Sequence, residues 1–159
     1  MQLSSTDGPT TVELSIEGYQ FPNADDPRLR YSWHMITGRA RDFHEEWAFR
    51  YPALTCDESP RLSEWIRRAA DWMAGEACVS GPAALTFTEP NLTFSVIADS
   101  GGSVIRVELD LEFRSPTHRT RREAFSARNV LDIVCTSADL KRAAQEWDAD
   151  VALFPDGPI

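Results

Sequence analysis

The run VIRVELDLEFR, residues 104–114, decides the fold. Ile105, Val107, Leu109, Leu111 and Phe113 alternate with Arg106, Glu108, Asp110, Glu112 and Arg114. Successive side chains of a strand point to opposite faces, so this period of two reads as a strand with one buried and one wet face. Just before it, ADSGGS (residues 98–103) carries two glycines that tolerate the positive φ of a tight turn. Leu92, Phe94 and Val96 repeat the alternation. Residues 92–98 and 104–114 therefore predict an antiparallel hairpin.

The same period recurs elsewhere. Val12, Leu14 and Ile16 alternate with Thr11, Glu13, Ser15 and Glu17, a strand over 11–19. Residues 31–51 predict a hairpin, with Tyr31, Trp33 and Met35 on one parity and Glu45, Trp47, Phe49 and Tyr51 on another. Pro52 is expected to end it, since proline removes a ladder donor. NVLDIVCT, residues 129–136, reads as the last strand. In GYQFP, residues 18–22, Gly18 relaxes the backbone, Pro22 stops further pairing, and Tyr19 and Phe21 anchor the turn on the core.

Two segments switch to the helical period. Leu62, Trp65, Ile66, Ala69 and Met73 share one face, with Ser59 as cap, Pro60 at the first turn and Gly75 as stop. Leu140, Ala143, Ala144, Trp147 and Val151 do the same behind Ser137 as cap. Short connections make strand neighbours antiparallel. The expected fold is α+β: one antiparallel sheet of six or seven strands, with helices at about 60–74 and 138–152 packed on one face. Residues 1–159 are expected to form a single domain, with 1–10 as a flexible lead-in.

Composition narrows the function classes. The net charge of −9 disfavours nucleic acid and anionic membranes and favours a basic partner. The N-terminus has neither a basic start nor an apolar stretch, so a cytoplasmic location is expected. Cys56, Cys78 and Cys135 are widely spaced and odd in number, which argues against a disulfide framework or a zinc site. His34, His44 and His118 fall in no metal-ligand spacing, and no nucleophile elbow or phosphate-binding glycine motif occurs. Neither a cofactor nor an enzymatic activity is expected. Two charged features remain. One is the outward row Glu108, Asp110 and Glu112, to which Glu13 and Glu17 of the first strand add acids; these five are the candidate partner-binding residues. The other is the basic loop 114–128, with His118, Arg119, Arg121, Arg122 and Arg128 around Glu123, which could grip a phosphate or carboxylate. Of the five tryptophans, 33, 47, 65 and 147 are expected in the core, and Trp72 either at its boundary or as an exposed contact.

GYQFP, Trp33, EEWAFRYPALT (45–55), LTFTEPNLTFSV (85–96), IRVELDLEFRSP (105–116), DLKRAAQEW (139–147) and the closing LFP occur in one order. Together, from Val12 to Pro155, they resemble the WapI-type immunity proteins of bacterial contact-dependent toxin systems. GYQFP and EPNL are the most specific pieces. At the second strand, where that family tends to an Asp-x-Asn-Trp-Leu run, LRYSWHM (29–35) matches only at Trp33. The resemblance implies a non-catalytic protein that binds and blocks a toxin domain, with a basic nuclease as the expected class. The alternative is a small-ligand-binding or regulatory module of the same fold, whose ligand would sit between sheet and helices.

Overall fold

A computed structural model describes residues 1–76, 80–99, 102–119 and 128–157. Cys78, Arg121, Arg122 and Glu123 lie outside the described residues, as does most of the basic loop. The strands are β1 (Gln2–Ser4), β2 (Thr11–Tyr19), β3 (Trp33–Arg41), β4 (Glu46–Thr55), β5 (Leu85–Thr86), β6 (Leu92–Asp99), β7 (Gly102–Leu109) and β8 (Asn129–Val134). The helices are α1 (Pro27–Arg30), α2 (Ser59–Met73), α3 (Pro116–Arg119) and α4 (Ser137–Leu153). The α+β class holds, but the single sheet does not. The strands form two antiparallel sheets of four, ordered β1-β2-β3-β4 and β5-β6-β7-β8.

The two sheets meet at their edges. Just past β1, Thr6 N donates to Val134 O at 2.8 Å, and Val134 N donates to Ser5 Oγ at 2.9 Å. The first ten residues, expected as a lead-in, thus carry an edge strand with Leu3 buried. A three-residue strand is too short to show an alternation, which is why the pattern missed it.

One apolar cluster joins the inner faces of both sheets to α2 and α4. Val12, Leu14, Ile36 and Leu54 come from the first sheet; Phe94, Ile105, Val107 and Ile133 come from the second. The same cluster takes in Leu62, Trp65 and Ile66 of α2 and Leu140, Ala143 and Trp147 of α4. The indole of Trp65 donates to Ala83 O, and that of Trp147 to Ser59 O, both at 2.7 Å. The buried rings thereby keep their single donors satisfied. Trp33, expected in the core, is only half-buried, because β3 turns His34, Ile36 and Ala40 inward and so puts Trp33 and Met35 on the other face; Trp72 is half-buried.

Three local expectations change. Pro52 does not end its strand: β4 runs through it at a register shift, on the edge of the sheet. Bulges and edges are where a strand tolerates proline. Helix α4 is capped by Thr136, not Ser137, in a reciprocal capping box with Asp139. Those hydrogen bonds hold the Asp139 carboxyl below its ordinary pKa. The residue before α2 is Glu58, and its side chain does not cap the helix.

Candidate functional site

The row 104–114 is broken in the folded chain. β7 stops at Leu109, and Asp110 caps a short 3-10 helix over Leu111–Phe113 by accepting from Leu111 N at 2.7 Å. The stop is imposed from a distance. Asp110 N is taken by Asn91 O at 2.9 Å, and Asn91 Nδ2 donates to Glu112 at 2.8 Å. Asn91 is the asparagine of EPNL and is fully buried, so the motif serves to fix the turn after β7. Leu111, expected inward, is 42% exposed and has φ +49°, a left-handed conformation that strains a side chain carrying Cβ.

The five candidate carboxylates therefore do not share one face. Arg128 Nη1 lies 2.7 Å from Glu108, and Arg114 Nη2 lies 2.5 Å from Asp110. Arg128 Nε also approaches Asp110 at 3.2 Å. Glu112 is held by Asn91. Beside them Arg106 and Asp132 form two bonds at 2.7 and 2.8 Å, which hold the Asp132 carboxyl below its usual range. Glu108, Asp110 and Asp132 are thus each matched by an arginine of the same chain.

Glu13 and Glu17 lie on the first sheet instead. They point from the exposed face of β2 toward β3 and β4, where Glu13 faces Arg39 and Ser15 faces Thr37 in register. Arg50 of β4 meets Glu17 at 2.5 Å, and Arg39 lies 3.6 Å from Glu46. Glu13 has no ion-pair partner among the described residues. The side chains between these charges are short: Ser15, Thr37 and Ala48. They floor an open groove of about 830 Å³, bounded at the β1 edge by Glu146 of α4. A second depression of about 370 Å³ shares Glu17 and Arg50 with it and continues to Tyr19, Pro22 and Phe154.

At that end GYQFP and LFP come together. The Tyr19 hydroxyl donates to Pro155 O at 2.7 Å, and its ring packs edge-on against Phe154 and Tyr31. Burial pushes the Tyr19 hydroxyl pKa up. Phe21 is 38% exposed, so Tyr19 alone anchors this turn. His34 lies beneath, fully buried, with Nε2 2.8 Å from Phe154 O and Nδ1 2.7 Å from Ser59 Oγ. A carbonyl only accepts, so Nε2 carries the proton and Nδ1 accepts from the serine. Burial pushes the His34 pKa below its ordinary value. His34 is thus a clamp between β3, α2 and the C-terminal segment.

Glu58 was missed by the sequence reading. Its buried carboxylate accepts from Thr88 N and Oγ1, both at 2.8 Å, and from Thr55 N at 3.1 Å. It ties the end of β4 to the segment after β5, and no local pattern marks it. Burial also pushes the thiols of Cys56 and Cys135 up to about 12, so both are held as neutral thiols. The region between sheets and helices is filled by Trp65, Phe94 and Trp147, where a ligand of the alternative reading would sit. Among the described residues no helix is long and apolar enough to cross a membrane.

No curated protein and no solved structure matches the chain. The sequence model of the WapI-like immunity protein family, by contrast, matches residues 2–155, from β1 through the Tyr19–Pro155 contact. The chain belongs to the WapI-like immunity protein family.

Proposed function

We propose that this protein neutralises a cognate toxin domain by stoichiometric binding, without catalysis, in the cytoplasm of the cell that makes it. The toxin is a basic protein of the nuclease class. The observation that carries this reading is the family match, which spans both sheets and both long helices. The net charge of −9 supports a basic partner, because opposite net charge speeds encounter. The side-chain chemistry agrees with a binding role: Glu17, Glu108 and Asp110 are tied into ion pairs that shape a surface, and Glu13 stands outside them. Co-expression with the toxin domain encoded beside this chain's gene tests the proposal. Restored growth and a 1:1 complex on gel filtration are expected. Unrelieved toxicity with no complex would overturn it.

A further inference from the structure

The face that meets the partner can be narrowed, on the footing of the immunity reading above. We infer that the groove on the outer face of β2–β4 is the docking surface, and that its occupant is an extended segment of the toxin bearing lysine or arginine. The groove's two sides differ in charge. Glu13 and Glu17 line the β2 side and Glu146 the α4 end, whereas Arg39 and Arg50 stand on the β3–β4 side. Among the described residues Glu13 makes no ion pair, although Arg39 faces it across the strands, whereas Glu17 is held by Arg50 at 2.5 Å and Glu146 accepts from Gln2 N at 2.9 Å with Arg142 at 3.8 Å. A cation entering on this side finds a carboxylate free to pair. On the second sheet it would have to displace Arg128 from Glu108 or Arg114 from Asp110, pairs at 2.7 and 2.5 Å. An existing pair offers an incoming charge little, since its field is already cancelled locally.

Shape selects a chain over a small molecule. Small-molecule sites are concave and mostly apolar. This groove is open and walled by charged side chains, and its floor of Ser15, Thr37 and Ala48 lies below them. Short side chains on three adjacent strands leave room for a backbone to lie across the sheet.

Two measurements decide it. In the first, the blocked peptide Lys-Thr-Lys-Thr-Lys-Thr is titrated into the labelled full-length protein and backbone amide shifts are followed. Shifts concentrated in residues 11–19, 33–41 and 46–55 are expected, and the lysine-to-glutamate peptide should give none. Glu13→Gln should weaken the lysine peptide about two- to fivefold, the range of an exposed ion pair. Shifts confined to residues 92–109 and 129–134, or no shifts, would overturn the groove. In the second, Thr37→Trp fills the floor and Glu13→Lys reverses the free charge. Glu64→Lys, exposed on α2, makes the same change in net charge elsewhere. With each variant shown to be folded by its amide spectrum, both groove variants should lose at least tenfold in affinity for the co-expressed toxin domain, and Glu64→Lys less than threefold. Full binding by both groove variants would remove the docking face while leaving the immunity reading intact. Failure of the wild-type protein itself to bind would sink the immunity reading, and the peptide titration would still judge the groove.

Discussion

At the scale of single residues, the chain places chemistry where local patterns give no warning. In the sequence His34 sits on the parity opposite to Trp33 and Met35, and nothing marks it as buried. In the fold it bonds Ser59 and Phe154 O in a fully buried site and is kept neutral there. The unfolded chain takes up a proton near the ordinary histidine value of about 6.5, and the folded chain resists it. Its stabilisation is therefore fully present above that pH and is lost as the pH falls toward the depressed folded value. Urea unfolding of wild type and His34→Phe should show the variant about 1–3 kcal/mol less stable at pH 7. That difference should shrink steadily between pH 7 and pH 5. A difference that stays constant would mean that the histidine does not titrate differently on folding. Glu58 makes the same point, since its partners at Thr88 are thirty positions away.

At the scale of elements, alternation located the strands well but not their ends. β2, β6 and β7 lie where the period of two puts them, because burial of one sheet face is what creates that period. The alternation also runs on through Asp110 and Leu111, where the strand has stopped. Leu111 breaks the pattern because Asn91 O and the arginines around Asp110 hold the turn. A packing constraint of the same kind sits in β3. A Cβ on Gly38 would lie 2.4 Å from the Phe49 ring and 2.6 Å from Glu13 O, and the backbone oxygen cannot yield. Gly38→Ala should cost about 1–3 kcal/mol, the range for overpacking. Gly8→Ala meets only the Phe43 ring, which is 73% exposed and free to turn, so it should cost under about 0.5 kcal/mol. Thermal unfolding of the two variants checks the contrast; equal losses would refute the close approach at Gly38.

At the scale of the whole molecule, two sheets share one core and are joined at an edge. Leu3 is buried there, and the bonds from Ser5 and Thr6 to Val134 cross from one sheet to the other. Leu3→Ala should cost about 2–5 kcal/mol, as for other buried leucines. Tryptophan fluorescence and far-ultraviolet circular dichroism should still report one coincident transition, because both sheets pack on the same helices. Separate midpoints would show that the sheets unfold independently.

The chain's own order of residues was enough to establish the α+β class, the two long helices, the inward residues of β2, β4, β6 and β7 and the motifs of the family, but not the buried parity of β3. Each of these follows from periodicity or spacing within a short window. The division into two sheets, the internal neutralisation of Glu108 and Asp110, and the placing of Glu13 beside an open groove came only with the tertiary structure. So did the meeting of GYQFP with LFP through Tyr19 and Pro155. The physical reason is range. Alternation records which side of a strand avoids water, a local property. Which carboxylate finds which arginine depends on strand register and on segments far apart in the chain, such as Glu17 with Arg50 and Tyr19 with Pro155.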